Sequence, residues 1–109
     1  MKKLITTDQF LNEVERAKNV PAVLFTQAIG NCPNCHYARF VINKNQDKIN
    51  IPIYEMPVTA DMYPATHLKI KSVPALVVFN DLGKEVCSLT RITPEILEKE
   101  YLTALHPNY

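Results

Sequence analysis

Cys32 and Cys35 are the residues of this chain best suited to chemistry, because Cys32-Pro33-Asn34-Cys35 places two thiols one helical turn apart. The flanking residues give that spacing its context. Upstream, Ala22-Val23-Leu24-Phe25-Thr26 is a short apolar, β-rich run that predicts a strand buried on both faces, and Gln27 to Asn31 predict a loop. Downstream, Pro33 suits the first helical position, where no amide donor is needed, and Tyr37, Ala38, Val41 and Ile42 supply the apolar stripe of a helix. At a helix N-terminus the unpaired amides and the macrodipole favour negative charge, so a thiol there ionises more readily and becomes a better nucleophile. On this reading Cys32 attacks and Cys35 resolves the mixed disulfide that results. Two other readings stand beside it: half of a zinc site, with His36 as a third ligand, or a pair of inert buried thiols. Zinc generally takes four ligands. A second close Cys or His pair is missing, and Cys87 and His67 are distant singletons. A two-cysteine motif beside a βαβ pattern favours redox work.

The elements that must position this pair are readable along the chain. Thr6 and Gln9 have the spacing of a capping box, and Phe10, Val14 and Ala17 follow at helical intervals to about Lys18, before Pro21. Ile49 to Met56 is β-rich but holds Pro52, so pairing is predicted to begin near Ile53. A short helix is predicted between Asp61 and about Ile70, with Pro64 near its first turn. Ala75 to Asn80 and Lys84 to Leu89 predict a hairpin across Asn80-Asp81-Leu82-Gly83. Thr93 as cap and Pro94 at the first position open a closing helix carrying Ile96, Leu97, Tyr101, Leu102 and Leu105. The order α-β-α-β-α-β-β-α describes an α/β fold: a mixed central sheet of about four strands flanked by helices.

Composition narrows the function classes. The 109 residues have the length of one ordinary domain, 1–109. Twelve Lys and Arg against 11 Asp and Glu leave a net charge of +1, too small for a nucleic-acid or membrane footprint. The hydrophobic fraction of 47% and charged fraction of 21% are those of an ordinary globular protein. Met1-Lys2-Lys3-Leu4-Ile5 begins like an export signal, but Thr6-Thr7-Asp8-Gln9 follows where an apolar stretch is required. A cytoplasmic, reducing location is therefore expected, where three cysteines do not make a structural disulfide framework.

Cys32-Pro33-Asn34-Cys35 at a strand–helix junction resembles the active sites of thioredoxins and glutaredoxins, and Lys71-Ser72-Val73-Pro74-Ala75 looks like their second signature. The resemblance covers nearly the whole chain, and the two motifs stand in the family's order, with hairpin and final helix after the proline. It implies a thioredoxin-like fold and a cis Pro74 beside the dithiol. It also implies that the backbone of Val73 pairs with an extended substrate segment, as in strand addition. The implied activity is thiol–disulfide exchange that reduces protein disulfides, with no bound cofactor and no metal. Electrons would come from a separate reductase or from glutathione.

The chain also departs from the family pattern. Asn80-Asp81-Leu82-Gly83-Lys84-Glu85-Val86 is similar to the thioredoxin hairpin, whereas a proline directly after the first cysteine is closer to glutaredoxins. Leu89-Thr90-Arg91-Ile92-Thr93-Pro94 lacks the Gly-Gly with which glutaredoxins hold glutathione. Asn31 stands where thioredoxins carry tryptophan, and Thr26 where they carry a buried aspartate that serves the resolving thiol as proton acceptor. Glu55, on the neighbouring predicted strand, is the residue that could supply this carboxylate instead.

The other polar and aromatic residues have plainer readings. His36, Tyr37 and Arg39 follow the dithiol as exposed helix residues near a substrate, Arg91 and the scattered lysines as solvated charges, and Cys87 as a small buried hydrophobe. The function expected is a disulfide reductase acting on protein substrates as a monomer, with no nucleic acid and no membrane. The alternative from another class is a non-catalytic interaction module that holds a partner at Pro74.

Overall fold

A computed structural model describes residues 1–16, 21–45, 52–79 and 85–89, the last as backbone, together with Ile92, Thr93 and Glu95. The capping box forms as the sequence predicts. The Gln9 amide donates to Thr6 Oγ1 at 3.2 Å, and Gln9 Oε1 accepts from the amides of Thr6 and Ile5 at 3.1 and 2.7 Å. It opens helix α1, Thr7–Phe10, which widens into a π-helical turn, Leu11–Glu15, closed by the Arg16 amide on Leu11 O at 2.7 Å. The expected regular helix is thus broadened in its second half, with Phe10 and Val14 still buried. Its expected end near Lys18 lies outside the described residues.

Among the described residues five strands form one sheet in the order β1-β3-β2-β4-β5. They are β1 Lys2–Lys3, β2 Ala22–Gln27, β3 Ile53–Val58, β4 Ala75–Phe79 and β5 Glu85–Leu89. β1, β3 and β2 run parallel, and β4 and β5 are antiparallel to their neighbours, giving the mixed sheet expected. Four of the strands are those read from the sequence; β1 is an addition at the edge, too short to show a pattern. It is tied down by the Leu4 amide on Glu55 O at 2.8 Å and by Glu13, which meets Lys2 Nζ at 2.8 Å and accepts the Tyr54 hydroxyl at 3.1 Å.

β3 begins at Ile53, as Pro52 predicts, yet continues through Pro57 to Val58. The ladder explains why this proline is tolerated. Glu55 O faces β1 and Val58 O faces β2, accepting from the Ala28 amide at 3.1 Å. Alternation along the strand therefore turns the donor-less nitrogen of Pro57 towards the β1 side, beyond the end of that short strand.

Alternate residues build two cores. Ala22, Leu24, Ile53, Leu76 and Val78 pack beneath helix α2, Pro33–Lys44, which contributes Ala38, Val41 and Ile42. Val23, Phe25, Tyr54, Met56, Val77 and Phe79 face the other way, onto Phe10 and Val14 and onto Ala65 of helix α3, Tyr63–His67. The central strands are thus buried on both sides, which is why β2 and β4 read as unbroken apolar runs. The hairpin turn lies outside the described residues, as does the closing helix expected after Thr93 except for Glu95, which is helical; Ile92 is buried in the α2-side core. Among the described residues no helix is long and apolar enough to cross a membrane.

Helix α3 ends in a Schellman motif: the Ile70 amide reaches Ala65 O at 2.9 Å and the Lys69 amide reaches Thr66 O at 3.3 Å. The residue at its turn is Lys69, with φ 56°, where glycine is the usual occupant. Lys69 is exposed. Lys69→Gly is expected to raise stability by about 0.5–1 kcal/mol, since relief of the left-handed penalty exceeds the entropy glycine adds. Denaturant unfolding of the two proteins checks this.

Candidate active site

The dithiol stands at the sheet's carboxyl edge, where the loop after β2 turns into α2. Gly30, at φ 91°, makes that turn with backbone angles that L side chains rarely adopt. The Gln27 side-chain amide donates to Ile29 O across the same loop. Cys32 is the N-cap of α2, Pro33 occupies its first turn, and Cys32 and Cys35 are joined by a disulfide with Cα atoms 5.2 Å apart. The Cys35 amide donates to Cys32 Sγ at 3.2 Å, and the His36 amide to Cys32 O at 3.2 Å. A sulfur at the cap thus receives an orphan donor of the helix end, an environment that favours the thiolate.

The two cysteines differ in access. Cys32 is part-exposed and Cys35 is 2% exposed, with Pro33 and Asn34 between them exposed. An incoming group meets Cys32 first.

The Val73–Pro74 peptide, which leads into β4, is cis. Asn34 and Tyr37 of α2 line one groove together with Ser72, Val73 and Pro74, so Asn34 of the first motif and three residues of the second face a common space. A second cavity of about 230 Å³, lined by Ile29, Val58, Ala65 and Ile70, lies on the other side and shares Ser72 and Val73. Val73 therefore sits between a mixed groove and an apolar one.

Beneath α2 lies an ion pair that the sequence reading missed. Thr26 and Glu55 are the buried polar residues of the described sheet, at 1% and 4% exposure. The pairing of Leu24 with Glu55, and the alternation on β2 and β3, put both on the α2 side. The Thr26 hydroxyl donates to Glu55 Oε2 at 3.1 Å; Arg39, one turn after Cys35, donates through Nε to Oε1 at 2.8 Å and through Nη2 to Oε2 at 2.5 Å. Arg39 Nη1 also meets His36 Nδ1 at 3.0 Å. Since guanidinium only donates, that imidazole nitrogen accepts.

Glu55 thus lies against Thr26, but not as a free carboxylate. Burial pushes its carboxyl up, yet the hydrogen bonds and charge of Arg39, the Thr26 hydroxyl and the charge of Lys3 outweigh burial and hold it below the ordinary range. Its bond to Glu55, opposed by burial, raises Arg39. The carboxylate that the sequence names at Glu55 is thus an ion-paired one, held by Arg39 and Thr26. The signal in the sequence was the four-residue step from Cys35 to Arg39; it needed the strand register to give it a partner.

A carboxyl depressed in the folded state contributes stability above its unfolded value and loses it as pH falls through the folded value. Glu55→Gln is therefore expected to cost about 2 kcal/mol at pH 7, between exposed and fully buried pairs because Arg39 is one-third exposed. The gap between wild type and variant should close on acidification below about pH 4, where the unfolded carboxyl takes its proton. Thermal unfolding across pH checks both the size and the sign.

Among the described residues, no group of three His, Cys, Asp or Glu could hold a metal ion. Cys87 lies on β5 opposite Val78; its expected burial falls outside the described side chains.

Comparison with solved structures identifies the class: the chain has a thioredoxin-like fold. It is similar to thioredoxin from Trypanosoma brucei brucei with a TM-score of 0.76 at 14% identity, over 95% of this chain and 89% of that one. It is similar to Malassezia sympodialis thioredoxin with a TM-score of 0.70 at 19% identity, over 97% and 89% of the two chains. For oxidised mitochondrial thioredoxin 3 from Saccharomyces cerevisiae the TM-score is 0.70 at 20% identity, over 91% of each chain. No protein-family model and no curated protein matches the sequence.

Proposed function

We propose that residues 1–109 form one thioredoxin-like domain that reduces disulfides in protein substrates. The observation that carries this reading is the Cys32–Cys35 disulfide at the cap of α2, with one sulfur part-exposed and the other buried. In the reduced protein Cys32 attacks as the thiolate, because the helix end and the Cys35 amide stabilise its charge. A bond forms from Cys32 Sγ to one substrate sulfur, and the other substrate sulfur leaves with the electron pair. Cys35 then loses its proton and attacks Cys32 Sγ, which closes the internal disulfide and releases the second substrate sulfur. Two electrons pass from the protein to the substrate.

Substrate enters as an extended segment along Ser72 and Val73, whose backbone pairs with it next to cis Pro74. Pro33 and Asn34 cap the dithiol on its exposed side. The apolar cavity beyond Val73 accommodates an apolar substrate side chain. Electrons return from a separate reductase or from glutathione, with no bound cofactor, to a monomer in the cytoplasm. Mixing the reduced protein with a disulfide-bonded protein tests this. The reading expects one substrate disulfide reduced per Cys32–Cys35 disulfide formed, and repeated turnover once a reductant is supplied. Binding of the substrate with no loss of its disulfide would instead favour an interaction module.

A further inference from the structure

Resting on the reading of Cys32 and Cys35 as a redox couple, the arrangement under α2 makes a further assignment. We propose that Arg39 is a positioning residue that withholds Glu55 from the dithiol, so that the proton of Cys35 leaves to water or buffer base and not to this carboxylate. Three acceptor positions of Glu55 are taken, two by Arg39 and one by Thr26, out of about four that a carboxylate offers. The bidentate grip fixes the orientation of the group as well as its charge. Arg39 and Cys35 lie one turn apart on α2, so the clamp anchors the helix that bears the dithiol to the strand beneath it.

Among the described residues, the groups facing Glu55 work in the same direction. From α2 come Arg39 and, through it, His36; from β2 comes the Thr26 hydroxyl; from β1 comes Lys3, its register partner. None of them opposes the ionised carboxylate. The result is an ion pair buried at Glu55 and one-third exposed at Arg39.

Removing the guanidinium should uncover that acid. A buried carboxylate without a counter-charge binds its proton more readily and becomes a competent base near neutral pH. The test is the rate of the Cys35 step as a function of pH. A chromogenic aryl disulfide is used to place a thiol on Cys32, and release of the second aryl thiol is followed at pH 5–9. The proteins are wild type, Glu55→Gln, Arg39→Met, Arg39→Lys and the double variant R39M/E55Q.

Wild type and Glu55→Gln are expected to give profiles of the same shape. Arg39→Met should add an ionisation and change the rate near pH 7 by about tenfold. The double variant should remove that ionisation, and Arg39→Lys should restore the wild-type shape. A profile altered by Glu55→Gln alone overturns the proposal, because Glu55 would then already be the working base; so does an Arg39→Met profile identical to wild type. Should Arg39→Met fail to fold, Arg39→Gln, which removes the charge and keeps a hydrogen-bonding side chain, takes its place with the same expected and overturning results. Absence of any second release in wild type would instead count against Cys32 and Cys35 as a redox couple.

Discussion

Cys32→Ser abolishes disulfide exchange on this account, by about three orders of magnitude or more, because a hydroxyl at the cap of α2 is not ionised at neutral pH. The loss belongs to chemistry and not to folding. Cys32 is part-exposed and forms no part of either apolar core, so the variant and the reduced wild type should unfold at nearly the same temperature. Cys35→Ser has a different signature. Cys32 still attacks, but nothing closes on it from within, so the substrate stays attached as a mixed disulfide visible by mass. An interaction module would bind its partner equally well with either serine.

Phe10→Ala is the substitution expected to cost most stability, about 3–5 kcal/mol. Phe10 is fully buried, and its ring centroid lies 6.1 Å from those of both Phe25 and Phe79, tilted to one and edge-on to the other. It joins the first helix to two central strands on the face opposite α2. Truncation removes the ring's burial and both aromatic contacts and leaves a cavity under the sheet. Against a total of about 5–15 kcal/mol for a domain, such a loss leaves little margin. Denaturant unfolding checks it; a loss below about 1 kcal/mol would show that the space refills from neighbouring side chains.

The parts of this fold that depend on local chemistry were legible in the sequence. The capping box at Thr6 and Gln9, Pro33 behind Cys32, the start of β3 after Pro52 and the apolar runs of β2 and β4 each follow from short-range rules and are found in place. Features set by distant partners were not legible. The two-residue β1 is a strand only because β3 lies beside it, and the left-handed Lys69 contradicts the usual preference for glycine. Arg39 looked like an ordinary exposed helix residue. Its role beneath the helix depends on the pairing of Leu24 with Glu55, which no local pattern reveals. The site divides in the same way. The dithiol and the proline signature are visible as motifs, whereas the groove that Asn34 and Tyr37 share with Val73 and Pro74 comes from the fold.

A redox titration in glutathione buffers, with alkylation and mass analysis of Cys32 and Cys35 and with Cys32→Ser as control, tests the central claim most directly. The account predicts a reversible two-electron transition between dithiol and internal disulfide, within the range of about −270 to −120 mV spanned by disulfide oxidoreductases. The control should form no internal disulfide. A protein that forms no Cys32–Cys35 disulfide across that range would contradict the account.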